Sequence, residues 1–203
     1  MKKINLILPS ILAGIAIGIG GVIYLSIENR VIGAVLFSIG LYLICVHNLN
    51  LFTGKVGYIF QNPPSYIGDL MIIWCGNLIG TCITSNLIRN SRIGERITEA
   101  SELLCIGKLN DTLISLFVLA IFCGILMYGA VEGYKRTNNP LILLMGVSTF
   151  ILCGFEHCVA DMFYFSMSGI AFSDSFLRLI IITLGNTIGA NLIPIHNFSY
   201  KER

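Results

Sequence analysis

Six stretches of apolar sequence leave this chain few options other than crossing a lipid bilayer. They cover about 6–27, Val31 to Phe60, about 66–88, about 112–131, Leu141 to about Ile170, and about 176–195. The second is interrupted by His47-Asn48-Leu49-Asn50 and the fifth by Glu156-His157. A spanning helix needs about 20 apolar residues. Lipid offers the backbone no hydrogen-bonding partner, and no segment alternates like a barrel strand, so all spans are expected to be helical. Only 12% of the residues are charged and 55% are hydrophobic, whereas soluble domains carry about 25% charge. The net charge of +2 provides no field for nucleic acid. A soluble domain, a disordered chain and a nucleic-acid binder are excluded. The 203 residues are read as one transmembrane domain, 1–203, with no separate soluble enzymatic part. The run after Lys2 and Lys3 exceeds the about 7–15 residues of a signal h-region and lacks a small-residue cleavage site, so it is read as the first span.

The chain repeats itself. Gly76-Asn77-Leu78-Ile79-Gly80 returns 109 residues later as Gly185-Asn186-Thr187-Ile188-Gly189. The same offset carries Asn48 onto His157 and Gly14 onto Cys123, so the break in span two lands on the break in span five. Three spans per half start the second half from the opposite side of the membrane. The expected fold is therefore all-α: six transmembrane helices as two inverted three-helix repeats, with helices two and five broken. Repeat one covers about 6–88, a polar connection 89–111, and repeat two about 112–195. The glycine pairs Gly14/Gly18, Gly76/Gly80 and Gly185/Gly189 suit close helix packing within the protomer.

Basic residues set the orientation. With both termini cytoplasmic, the inside segments hold Lys2, Lys3, Lys55, Lys135, Arg136, Lys201 and Arg203. The outside holds Arg30, Arg178 and the mixed-charge connection. The seven cysteines form no CxxC and lie mostly in apolar runs, so they read as small buried hydrophobes. Three dispersed histidines suit neither haem nor a metal cluster. No GxxxxGK[ST] appears. No cofactor, metal or enzymatic activity is expected.

Ionisable residues at bilayer depth are costly and mark function. Glu156, His157 and Asp161 cluster at the span-five break, and the four-residue spacing puts His157 and Asp161 on one helical face. Glu156 either caps the second half-helix or joins the site. His47 and His196 are read as structural or solvated.

These residues also resemble a family. Gly154-Phe155-Glu156-His157-Cys158-Val159-Ala160-Asp161-Met162-Phe163 is similar to the signature of the formate/nitrite transporter family. Asn50-Leu51-Phe52-Thr53-Gly54 resembles its loop in the broken second span, and Ile121-Phe122-Cys123-Gly124 its span-four motif. Lys108 lies where the family often has a vestibule lysine. The resemblance implies an aquaporin-like protomer in a homopentamer, each protomer with its own pore. It implies a small monovalent anion or its conjugate weak acid as permeant, of the formate, nitrite or hydrosulfide class, in a bacterial or archaeal cytoplasmic membrane. It implies a pore centre of His157 facing Thr53, with Glu156 and Asp161 beside them. Phe37 and Leu41 fall at the cytoplasmic constriction and Phe150 at the periplasmic one, while Leu51 and Phe52, counted with them as constriction residues, belong with Thr53 to the loop that faces His157. Lys108 and Lys55 fall in the vestibules. The length implies a minimal cytoplasmic N-terminal helix.

Two positions depart from the family pattern. The span-four asparagine expected to bond the histidine is Gly124, and the asparagine four after the histidine is Asp161. A carboxylate beside His157 favours imidazolium and disfavours a nearby anion. Asp161 either orients His157 or shifts selectivity toward a neutral acid such as H₂S or toward a cation such as ammonium. A non-conducting sensor subunit is the remaining alternative.

Overall fold

The computed structural model describes the backbone of residues 4–201 and the side chains of residues 5–195. Lys2, Lys3 and Arg203, and the side chains of Lys201 and His196, lie outside the described residues. The described regular structure is helical: α1 (Ile4–Ser26), α2 (Arg30–Val46), α3 (Phe52–Lys55) followed by a 3₁₀ turn (Val56–Gln61), α4 (Tyr66–Arg89), α5 (Gly94–Asn110), α6 (Leu113–Thr137), α7 (Pro140–Leu152), α8 (Cys158–Ser168) and α9 (Phe172–Lys201). Four helices are long and apolar enough to cross a bilayer: α1, α4, α6, and α9 over Phe172–Ile195. The other two apolar runs are divided, α2 from α3 and α7 from α8.

Local chemistry explains where the divided runs begin. Asn29 caps α2 by accepting from the Val31 and Ile32 amides, each at 3.0 Å. Asn139 accepts from Leu141, with Pro140 in the first turn of α7, where its missing N–H costs nothing.

The two breaks share one geometry. After α2, Leu49 N–H bonds the Ile44 carbonyl at 2.9 Å and Asn48 N–H bonds Cys45, with Asn48 left-handed at φ 52°. After α7, Phe155 N–H bonds the Phe150 carbonyl at 2.9 Å and Gly154 N–H bonds Ile151, with Gly154 at φ 69°. Both are Schellman endings, which satisfy the last carbonyls and turn the chain out of the helix. The sequence offset put Asn48 opposite His157, but the structural counterpart of Asn48 is Gly154. His157 corresponds to Leu51, since each is the N-cap residue of the helix that follows its break. The helical asparagines keep a 109-residue spacing while the breaks keep 106, so a uniform offset misaligns the breaks by one helical turn.

Helices α1 and α4 pack closely, as do α6 and α9. A Cβ on Gly14 would run into the Asn77 carbonyl, and one on Gly124 into the Asn186 carbonyl. Gly124 is therefore a backbone contact with α9, which accounts for the absence of asparagine there.

The polar connection holds an unforeseen helix. In α5, Ile97, Ser101 and Cys105 are buried against α8, and Ser101 Oγ donates to the Tyr164 carbonyl at 2.8 Å. Three arginines close helix C-termini by donating to terminal carbonyls: Arg30 to Leu152, Arg89 to Ser166 and Met167, and Arg178 to Lys108 and Leu109.

Candidate functional site

The second half-helix, α8, starts at His157, whose side chain serves as its cap. His157 Nδ1 accepts from the Ala160 amide at 3.1 Å. An amide can only donate, so Nδ1 is unprotonated and the ring proton is assigned by this bond to Nε2. Nε2 lies 2.8 Å from Thr53 Oγ1 on α3, across the molecule. His157 is 2% exposed and Thr53 is 1% exposed. The two breaks thus meet at one buried hydrogen bond.

Aromatic rings cover this pair. Phe150 stacks on the His157 ring with centroids 5.4 Å apart and planes at 19°. Phe37 meets Phe150 edge-on at 6.0 Å and 87°. Phe37 and Phe150 were expected at opposite constrictions. They touch because α2 and α7 pack together with both residues on the shared face. Leu41, one turn further along α2, and Leu51 and Phe52 are also buried.

Two cavities flank the pair. One, of about 300 Å³, is lined by Phe150 and His157 together with Lys108, Glu156 and Asp161. The other, of about 380 Å³, is lined by Leu51 and Gly54 together with Lys55 and Lys135. His157 lines the first cavity and Thr53 sits between Leu51 and Gly54 of the second in the chain, so the Thr53–His157 bond links the segments that wall the two cavities.

The lysines of the two cavities are in different states. Lys55 and Lys135 share their cavity without a carboxylate lining it. Lys135 also donates to Tyr58 Oη at 2.8 Å, and Tyr58 donates to Glu132 at 2.6 Å. Lys108 was expected as a vestibule lysine, and it lines the first cavity, but not as an unpaired cation. Its ammonium is bonded to Glu156 and lies 2.9 Å from Asp161 Oδ1. Burial alone would lower the Lys108 pKa, but the Asp161 and Glu156 carboxylates more than offset this and hold it above the ordinary lysine range. The expectation that Asp161 orients His157 fails: Asp161 faces Lys108, and both ring nitrogens have other partners.

Residues that sequence reasoning passed over complete the site. Asn77 Oδ1 accepts from Phe52 N–H at 2.9 Å, and its amide donates to the Asn50 and Ser10 carbonyls. Asn186 Oδ1 accepts from Cys158 N–H at 2.9 Å, and its amide donates to the Glu156 and Ala120 carbonyls. Each asparagine thereby holds the start of one half-helix. The repeated Gly-Asn-x-Ile-Gly motif was the available signal. Tyr24, Arg30, Asp111 and Tyr164 line the first cavity.

The family model described as "Formate/nitrite transporter" matches residues 1–198. The chain belongs to the formate/nitrite transporter family. Membership, together with the long apolar helices, makes it an integral membrane protein. Among its relatives in the family, Formate channel FocB of Escherichia coli (strain K12) is 24% identical, over 96% of this chain and 81% of that protein. Two solved structures share the fold. One, titled a pentameric formate channel with formate bound, superposes with a TM-score of 0.82 at 23% identity, covering 99% of this chain and 98% of that one. The other, an FNT family ion channel, gives 0.87 at 21% identity, covering 98% and 91%. The fold brings the Glu156-His157 break and the Thr53 loop into contact.

Proposed function

We propose that this chain is the protomer of a homopentameric membrane channel for a small monovalent anion or its conjugate weak acid, of the formate, nitrite or hydrosulfide class. The single channel domain, 1–203, is two inverted three-helix repeats in an aquaporin-like protomer, with both termini cytoplasmic in a bacterial or archaeal membrane. The matched Schellman endings and matched asparagine clamps support the repeat. The names of the relatives support the permeant class and the pentamer.

The observation that carries this reading is the Thr53–His157 bond between two cavities, covered by Phe37 and Phe150. A bare anion entering that apolar stretch loses its hydration without replacement, whereas a neutral acid loses far less. The anion is gathered at the Lys55/Lys135 cavity or enters the cavity lined by Lys108, and is protonated near His157. It passes Phe37, Leu41, Leu51, Phe52 and Phe150 as the acid. His157, neutral in this geometry, turns its Nε2–H from Thr53 to the passing acid in the middle of the apolar path. Because the Lys108 ammonium is already shared by Glu156 and Asp161, that cavity has no surplus of positive charge to retain a bare anion; the neutral acid is favoured, and ammonium is the competing permeant.

Flux into proteoliposomes tests the reading. Formate, nitrite, hydrosulfide and ammonium gradients are compared for wild type and His157→Ala over about pH 5–8, the range in which histidine titrates. Flux of one weak acid that His157→Ala loses is the expected result. Ammonium flux alone would overturn the anion reading, and no flux from folded pentamer would favour a sensor.

A further inference from the structure

We propose that Asp161 carries the proton which this pore delivers to its permeating anion, with Glu156 and Lys108 as its charge partners. The proposal rests on the channel reading above and specifies which group is the proton donor.

The geometry starts from an imbalance of charge. Lys108, Glu156 and Asp161 are 13%, 6% and 1% exposed at their side chains, and the one ammonium serves both acids. The two carboxyls lie side by side on that ammonium and line the same cavity. Asp161 Oδ2 is buried with no hydrogen-bond partner. Two ionised carboxylates are acceptors only and cannot bond to each other. They would also leave a net negative charge buried in the membrane, which is strongly unfavourable. One proton on Asp161 removes both difficulties. Its hydroxyl gains Glu156 as an acceptor, its other oxygen still accepts from Lys108, and the three groups become neutral together.

No neighbouring group supplies the missing positive charge. Tyr24 on α1 and Tyr164 on α8 line the cavity, and Cys158 on α8, Cys105 on α5 and Cys123 on α6 lie near enough to Asp161 to feel its charge; phenols and thiols, with ordinary pKa values of about 8.5 to 10, are neutral at pH 7. Arg30 and Asp111 share the cavity and offset each other. Arg178 donates to the Lys108 and Leu109 carbonyls at the end of α5 and makes no ion pair with either carboxyl.

His157 is a poor alternative donor. To take up a second proton, Nδ1 must release the Ala160 amide at the start of α8, where the positive helix end opposes a cation. Asp161 is four residues further along α8 and lines the same cavity.

The step is a single proton transfer. The O–H bond of Asp161 breaks while an H–O or H–S bond forms on the anion, and the electron pair stays on Asp161. The neutral acid passes Phe150, and a proton from cavity water restores Asp161. Proton donors act best on acceptors of comparable basicity. A carboxyl that retains its proton at neutral pH therefore suits a more basic anion. Hydrosulfide is favoured over formate and nitrite.

The test uses the full-length pentamer in proteoliposomes given sodium hydrosulfide or sodium formate over about pH 5–8. Anion uptake and internal acidification are recorded together. Asp161→Asn preserves the shape, the acceptor for Lys108 and a donor toward Glu156, and lacks only the transferable proton. Acidification by hydrosulfide is expected to fall about a hundredfold in Asp161→Asn, the low end of a general-acid contribution, and to recover partly in Asp161→Glu. Wild-type acidification and pH profile in Asp161→Asn would overturn the proposal while leaving the channel reading intact. Absence of anion uptake in wild type would instead defeat the channel reading. Infrared spectra of wild type at neutral pH need no variant. A protonated carboxyl band that shifts in D₂O is expected, and its absence overturns the proposal.

Discussion

Asn77 and Asn186 make the same three hydrogen bonds in the two halves of the molecule. Each accepts from the first amide of a half-helix, Phe52 or Cys158. Each donates to the carbonyl two residues earlier, Asn50 or Glu156, and to a neighbouring long helix at Ser10 or Ala120. Both side chains are fully buried. Replacing either by alanine strands an amide and two carbonyls, at about 1–3 kcal/mol for each buried group left unpaired. Asn77→Ala and Asn186→Ala should each lower the Tm of the detergent-solubilised protein and depress flux. A variant with wild-type Tm would show that water replaces the clamp.

Thr53 is the acceptor for the His157 Nε2 proton. Thr53→Val keeps the shape and leaves that donor facing a methyl group. With a buried donor left unpaired costing about 1–3 kcal/mol, a flux reduction of about fivefold to a hundredfold is expected, together with a lowered Tm. Thr53→Ser should stay near wild type. Equal flux in Thr53→Val and wild type would remove Thr53 from the permeation path.

Gly124 stands where the resemblance to the family led to an expected asparagine. Any side chain there meets the Asn186 carbonyl. Gly124→Asn should therefore destabilise the protein by about 1–3 kcal/mol, as overpacking does, and disturb the α8 clamp rather than restore a partner for His157. Thermal unfolding checks this, and a Gly124→Asn protein of unchanged stability would mean α6 and α9 can separate without loss.

Lys108 is the sole cation bonded to Glu156 and Asp161 among the described residues. Breaking a buried pair by removing one partner costs about 3–5 kcal/mol, so Lys108→Met should unfold at markedly lower temperature. Glu156→Gln in the same chain should recover part of the loss. The pH dependence follows from the raised Lys108 pKa. A cation whose folded pKa lies above the unfolded value, about 10.4, contributes its full stability below that pH and loses it only as pH rises further. The Tm difference between wild type and Lys108→Met should thus persist through neutral pH and narrow in strong alkali.

The membrane-spanning character, the two interruptions and the cluster at 156–161 could be read from the sequence, because apolar run length and buried charge are local signals. Helix α5 could not, because its buried face is thin: Ile97, Ser101, Cys105 and Lys108 share one stripe within a charged segment. The stripe makes sense only once α8 is known to cover it. The meeting of Lys108 with Glu156, of Phe37 with Phe150 and of Thr53 with His157 depends on contacts between distant segments, which no spacing rule supplies. The counterpart of His157 was misjudged by one turn because the repeated Gly-Asn motif and the breaks have drifted apart by three residues.

The covered hydrogen bond at the centre has a consequence for the cell rather than for the permeant. Phe37, Phe150 and the neutral His157 ring present a wall without net charge. On the reading argued above, traffic through that wall carries no current. Such a pore can stay open under a membrane voltage without dissipating it, and its throughput follows the supply of acid on either side rather than the electrical field. The aromatic wall would then act as an insulator for the cell's stored voltage while remaining permeable to a small waste or nutrient acid.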